Sequence, residues 1–242
     1  MSPAIDWPIA GLFILSGALF GYLEATGRHN FPYSKFQERA FGTWMVRGGQ
    51  CHPRRAFIAT YLCGLLLCMG AFWKYGTWHS PYHVVAGWFL IGHQLKRLGE
   101  VCFVHHYSGQ LSVIMAALMG LGNAIVSVVC AYAVLHRPPT AAEDRFHAVS
   151  WPIPLVLLAW GGNHYHHRIL ASLRPAGSIR RYNAAEAYCI PGRGWFLRAA
   201  CPHYYFEALA WFAFALIVHR AIVYGVALAI AFYLAGRSWR TR

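Results

Sequence analysis

The side chains that could do chemistry are few, and they lie close to apolar stretches of the chain. Only eight residues are acidic, against 21 Lys and Arg and 14 His. Three acids stand out, Glu38, Glu100 and Glu207, because an ionisable side chain at membrane depth is costly and usually faces a polar cavity. Glu100 follows Lys96 by four residues and Arg97 by three, which predicts a local ion pair on one helix face. Glu207 begins an apolar stretch, so its carboxylate either serves a site or reaches back to the membrane interface.

Histidines are concentrated at three places: His93, the pair His105 and His106, and the cluster of His164, His166 and His167. Di-iron membrane oxygenases use HxxxH and HxxHH boxes, in which i, i+3 and i+4 spacing puts the ligands on one helix face. The sequence HxHH instead directs His164 and His166 to different faces. A metal centre is therefore not expected, and the histidines are predicted to donate hydrogen bonds or positive charge in a polar pocket.

The stretch from residue 168 to residue 203 combines arginines with turn signals and aromatic residues. It contains LRPAGS, then IPGRGWF, and it leads into CPHYYFE. Guanidinium groups match phosphate oxygens, so a phosphorylated ligand is one interpretation of this stretch. Plain membrane topology is the alternative, since basic loops collect on the cytosolic side. Topology accounts for the charge but not for the Gly, Pro and aromatic residues between the arginines.

The composition indicates that lipid surrounds much of the chain. Hydrophobic residues make up 57% of it and charged residues only 12%, whereas soluble domains carry about 25% charged residues. The net charge of +13 does not point to nucleic acid, because the chain has no basic tail or RNA-binding motif and is too apolar to form a soluble basic face. The seven cysteines include no CxxC pair and are expected to be small buried apolar side chains.

Hydropathy predicts an all-α integral membrane bundle of about seven transmembrane helices, forming one domain over residues 1–242. The predicted spans are Trp7–Leu23, Ala56–Trp73, Tyr82–Val104, Leu111–Leu135, Val149–Leu170, Tyr204–His219 and Arg220–Ala235. With seven spans, four positive residues fall on one side: Lys74, Arg137, Arg145 and Arg220. The other 17 of the 21 positive residues fall on the opposite side. The positive-inside rule then places the basic loops in the cytosol.

Four segments of the chain resemble the C-terminal domain of the steroid 5α-reductase family of membrane reductases. They are NHYHHRILASLR at residues 163–174, YCIPGRGWF at 188–196, CPHYYFE at 201–207 and, upstream, HQLKRLGEVCFVHHYSG at 93–109. The motif region covers about residues 90–242, and a less specific likeness begins near residue 35. CHPRRAFIATY and CPHYYFE resemble the polyprenol (polyprenal) reductase branch, whereas LRPAGS resembles the trans-2-enoyl-CoA reductases. Gln94, where those enzymes and the steroid reductases have tyrosine, favours the polyprenol branch.

The resemblance implies a seven-helix oxidoreductase that uses NADPH to saturate an activated carbon–carbon double bond. It assigns catalysis to Gln37 and Glu38, which would grip the substrate carbonyl, together with His93; an ordinary solvated loop pair is the alternative for Gln37 and Glu38. It assigns cofactor binding to seven residues: Arg97, Asn163, His167, Arg174, Tyr188, His203 and Glu207. The chain departs from the family at His167, where aspartate is expected, at Cys189, where arginine is expected, and in lacking the family's terminal HxxWYxxKF run.

Hydride adds only to an electron-poor carbon, so the reduced double bond must be conjugated to a carbonyl. The expected substrate is the α-isoprene unit of polyprenol or polyprenal in dolichol biosynthesis, with the aldehyde as the immediate acceptor. The lipid would enter from the bilayer and NADPH from the basic cytosolic face, in the endoplasmic reticulum. Two alternatives keep the chemistry and change the substrate, to a 3-oxo-Δ4-steroid or a trans-2-enoyl thioester. A third, suggested by the missing terminal run, is an inactive membrane scaffold.

Overall fold

A computed structural model describes residues 3–26, 49–76, 78–107, 110–136, 149–173 and 191–241. These residues form an all-α bundle, as predicted. The long helices are α1 (Pro3–Thr26), α2 (Pro53–Tyr75), α3 (Pro81–Phe103), α4 (Val113–Leu135), α5 (Ile153–Ser172), α6 (Pro202–Val218) and α7 (Ala221–Arg240). Two short strands, β1 (Gln50–Cys51) and β2 (Leu111–Ser112), pair antiparallel, and a 3₁₀ turn covers Gly194–Leu197.

Each predicted span corresponds to one of these helices, with small differences at the ends. Proline begins α2, α3 and α6, where its missing N–H costs no intrahelical bond. The fourth predicted span starts two residues too early, because Leu111 and Ser112 belong to β2. The boundary between α6 and α7 lies where it was predicted: His219 adopts a left-handed conformation with φ 51°, and extended Arg220 follows it.

Four of the described helices, α1, α2, α4 and α7, are long and apolar enough to cross a membrane. Their outer faces expose large apolar side chains, among them Leu15, Leu66 and Leu121. Such surfaces are stable in hydrocarbon and unfavourable in water. The chain is therefore an integral membrane protein.

Helices α3 and α6 contribute much of the buried core. The rings of Phe89 and Phe214 stack at a centroid distance of 4.4 Å between these two helices. Helix α1 packs along α7, α5 packs on α6, and α2 packs against both α3 and α4. The polar residues of α3, α5 and α6 thus face the interior of the bundle, where the site must lie.

Ion pairs and strand pairing show which helix ends lie together. At one end, Arg220 binds the carboxylate of Asp6 and donates to the Ala133 backbone oxygen at 3.0 Å. At the other end, Arg237 donates to Glu24 at 3.1 Å, and the β1–β2 pair joins the starts of α2 and α4. The second end is the one to which the predicted topology assigns 17 of the 21 positive residues, and we call it the basic end.

Candidate functional site

A cavity of about 560 Å³ extends from the basic end into the bundle, bounded by residues of α2 to α7. Six of the ten predicted site residues line it: His93, Arg97, Asn163, His167, His203 and Glu207. The other four, Gln37, Glu38, Arg174 and Tyr188, lie outside the described residues. Three motifs that are far apart in the sequence therefore meet in one space.

Arg97 is held in the cavity wall by bonds on every side of its guanidinium group. Its Nη1 donates to Glu100 Oε2 at 2.8 Å and lies 3.0 Å from His167 Nε2. Its Nε and Nη2 lie 3.3 and 3.1 Å from the Tyr61 hydroxyl, and the guanidinium lies over the Tyr61 ring. The predicted pairing of Glu100 is confirmed, since Lys96 also donates to it at 2.8 Å. The result is a fixed positive charge facing the cavity.

Asn163 connects α3, α5 and α6 at the polar part of the cavity. Its Oδ1 accepts from Lys96 Nζ at 2.5 Å, and its Nδ2 donates to the backbone oxygen of His203 at 2.8 Å. Asn163 is only 2% exposed. Because a buried amide with both ends bonded has one orientation, Asn163 fixes the start of α6 relative to α3.

His93 and Glu207 form a pair deeper in the cavity. His93 Nε2 lies 3.2 Å from Glu207 Oε1. The imidazole is packed between Phe89, at a centroid distance of 5.7 Å, and Trp211, at 5.1 Å. The opposite nitrogen, Nδ1, is buried and bonds to no residue that the structure describes, and the same holds for Nδ1 of His203. Buried polar atoms are normally satisfied, so these two nitrogens mark places where a ligand can bond.

His105, His167 and Tyr107 lie toward the mouth of the cavity. The His105 and His167 rings are 4.6 Å apart, and His105 Nδ1 lies 3.0 Å from the Tyr107 hydroxyl. Burial raises the pKa of Tyr107, so its hydroxyl keeps its proton and can donate. Ligand atoms of Glu100, His105 and His167 come within 4.8 Å of one another. Both cations bonded to Glu100, Lys96 and Arg97, oppose a metal ion there.

The HxHH cluster divides among three surroundings, as its spacing predicts. His164 contacts Glu100 at 3.1 Å and His167 faces Arg97. His166 turns the other way, where its Nδ1 lies 2.6 Å from the Gly162 oxygen and its Nε2 accepts from the Trp195 backbone N–H at 3.3 Å. His166 therefore holds the Gly194–Leu197 turn, in which Gly194 has a φ of 60° that glycine adopts readily.

Three residues of the cavity escaped the sequence analysis. Tyr61 had no signal, because one tyrosine in an apolar helix is unremarkable. Asn123 had a signal, because an amide in the middle of the most apolar helix must have a partner, and it donates to the Thr60 oxygen at 3.0 Å. Trp211 could be predicted to be buried but not to face a site. Gln94 lies on another face of α3 and is not among the described residues that line the cavity.

Comparison with known proteins gives one family and a group of named relatives. The family model described as 3-oxo-5-alpha-steroid 4-dehydrogenase matches residues 110–240, which is more than half of the chain. Polyprenal reductase of Xenopus tropicalis is 30% identical over 131 residues, covering 52% of this chain and 42% of that protein. Polyprenal reductase of Xenopus laevis is 30% identical over 132 residues, covering 52% of this chain and 41% of that protein.

These matches span about two fifths of each relative's length. They confirm the resemblance that the motifs of α5 and α6 indicated, and the family match ends within α7. The chain belongs to the 3-oxo-5-alpha-steroid 4-dehydrogenase family.

Proposed function

We propose that this protein is an NADPH-dependent reductase of a carbonyl-conjugated double bond in a membrane lipid, with the α-isoprene unit of polyprenal as its substrate. The observation that carries the proposal is the cavity itself. It brings a fixed guanidinium, two incompletely bonded imidazoles and an apolar wall into one space. Family membership and the two relatives named polyprenal reductase support the reaction class and this substrate.

The residues at the basic end fit a phosphorylated dinucleotide. Arg97 supplies a buried positive charge, and guanidinium groups match phosphate oxygens. His203 has an Nδ1 that bonds to no described residue, so it can bond to a ligand. We assign cofactor binding to Arg97, Asn163, His167, His203 and Glu207, and to Arg174 and Tyr188 outside the described residues.

NADPH would supply a hydride to the electron-poor β-carbon. The protein must then stabilise the negative charge that grows on the substrate's carbonyl oxygen and bring a proton to the α-carbon. His93 suits the second task, because Glu207 orients its ring through Nε2 and Nδ1 is left to face the substrate. Gln37 and Glu38 are proposed to bind the carbonyl oxygen.

The membrane arrangement is part of the same proposal. All seven helices would cross the bilayer within a single domain, with the basic end in the cytosol, where NADPH is found. Location in the endoplasmic reticulum would follow from a role in dolichol biosynthesis. The alternating ends marked by Asp6–Arg220 and by Glu24–Arg237 agree with an odd number of crossings.

The test is NADPH oxidation by the purified protein in lipid nanodiscs, with polyprenal, testosterone and a trans-2-enoyl-CoA as parallel substrates. We expect turnover of polyprenal, loss of that turnover in Glu38→Gln and in His93→Gln, and NADPH binding retained in both variants. Preferred turnover of testosterone or of the thioester would keep the reaction and refute the substrate. Absence of both NADPH binding and oxidation would refute the proposal in favour of an inactive scaffold.

A further inference from the structure

One wall of the cavity is built from two helices whose length and composition suit a membrane. Helix α4 contributes Met119, Gly122, Asn123 and Val126, a spacing that places all four on one helical face. Helix α7 contributes Ile230, Tyr233 and Leu234. Except for Asn123 and the Tyr233 hydroxyl, this wall is apolar. It therefore suits a hydrocarbon chain.

The two helices of this wall pack mainly against other parts of the bundle. Helix α4 packs chiefly on α2, and α7 chiefly on α1 and α6. The cavity thus lies behind a seam between helices that are not each other's principal partners. A seam of this kind can admit a ligand without rupture of a main helix interface.

Gly122 lies at this seam and leaves it open. It lines the cavity and is also exposed on the outer surface. A Cβ atom built at Gly122 would have no described neighbour within 4 Å. The absence of a side chain at Gly122 therefore leaves a gap in the wall, and a large side chain there would close it.

The depth of Gly122 decides what surrounds the gap. Gly122 lies nine residues after the start of α4, about 14 Å along the helix axis. His93 lies ten residues before the end of α3, about 15 Å from the same end of the bundle. The gap and the His93–Glu207 pair are therefore at similar depth, well inside the apolar length of α4, where the surroundings are lipid chains.

We propose that the seam between α4 and α7 at Gly122 is the opening through which the isoprenoid chain of the substrate runs between the bilayer and the cavity. The identity of the lipid rests on the proposed function, whereas the position of the opening does not. The reactive end lies at the His93–Glu207 pair, and the rest of the chain remains in the bilayer. Chain length beyond the first units is then unrestricted by the cavity volume.

Gly122→Trp tests this opening, because an indole at this position would fill the gap. Gly70→Trp is the matched control: Gly70 is also an exposed glycine in an apolar helix, a Cβ there would meet nothing within 4 Å, and it does not line the cavity. We expect Gly122→Trp to lower kcat/KM about tenfold or more for a long-chain polyprenal and less than about twofold for a two-isoprene enal that can enter from water. Equal loss for both substrates, or loss for neither, would refute the opening.

A second measurement separates this inference from the proposed function. A polyprenol carrying a diazirine near its hydroxyl end is incorporated with the protein into nanodiscs, irradiated, and the modified residues are mapped by mass spectrometry. We expect labels at 119–126 and 230–234 in the wild type and in Gly70→Trp, and loss of these labels in Gly122→Trp. The result requires no turnover, so it decides the opening even if NADPH is not oxidised. Labels elsewhere, or labels unchanged by Gly122→Trp, would refute it.

Discussion

The side chain of Asn163 donates a hydrogen bond of 2.8 Å to the backbone oxygen of His203, which joins α5 to the first turn of α6. The same amide accepts from Lys96 at 2.5 Å. Two predicted cofactor residues are thus bonded directly to each other, although 40 positions separate them in the sequence. Asn163 acts on the site by holding its neighbours in place as well as by lining the cavity.

Replacement of Asn163 with Ala should damage both binding and stability. The His203 oxygen and the Lys96 ammonium would each lose a buried partner, at a cost of about 1–3 kcal/mol. We expect a lower melting temperature and weaker NADPH binding, measured by differential scanning fluorimetry and by quenching of intrinsic fluorescence. The control is Ser172→Ala on the same helix, since Ser172 is exposed and bonds only to the Ile169 oxygen. If Asn163→Ala and Ser172→Ala behave alike, the bridging role of Asn163 is wrong.

Hydropathy and proline positions were sufficient to predict the seven helices, because both act within one segment of chain. The motifs brought together six site residues for the same reason: each motif is local. The pairs Asp6–Arg220 and Glu24–Arg237 were not predicted, since 214 and 213 residues separate their members. Nothing in α1 states that it packs along α7. Tyr61 was missed likewise, because its bond to Arg97 depends on the rotation of α2 against α3.

Replacement of Arg97 with Lys should weaken NADPH binding while keeping the positive charge. A lysine ammonium lacks the planar fork, so it would lose the simultaneous contacts to Tyr61, Glu100 and His167. We expect the dissociation constant for NADPH to rise about tenfold or more, measured by isothermal titration. Arg55→Lys, at an exposed position of α2, should leave it within about twofold. An unchanged dissociation constant in Arg97→Lys would show that charge alone is needed.

Replacement of Gln94 with Tyr should not convert the enzyme to a steroid reductase. Gln94 is 2% exposed, and its Nε2 lies 3.0 Å from Ser127 Oγ and 3.3 Å from Asn123 Oδ1. A tyrosine would remove this amide bonding and overfill the space between α3 and α4, at a cost of about 1–3 kcal/mol.

We therefore expect Gln94→Tyr to melt at a lower temperature and to show no turnover of testosterone. Gln94→Met, of similar volume, should lose the bonds without the overpacking and lie between the wild type and Gln94→Tyr in stability. A gain of testosterone turnover in Gln94→Tyr would contradict the structure, because it would require Gln94 to reach the cavity. It would also restore the sequence argument that this position selects the branch.

Removal of one partner from the Glu24–Arg237 pair should destabilise the docking of α1 on α7. The side chains are 0% and 4% exposed, so Arg237→Leu would leave a carboxylate buried without its cation. Loss of one member of a buried pair costs about 3–5 kcal/mol, whereas replacement of both by apolar residues is often neutral. We expect Arg237→Leu and Glu24→Leu each to lower the melting temperature in detergent, and the double variant to recover most of the loss. Additive losses in the double variant would mean that the two side chains are not coupled, and the α1–α7 contact would then rest on close packing at Gly17, Gly21 and Gly225 alone.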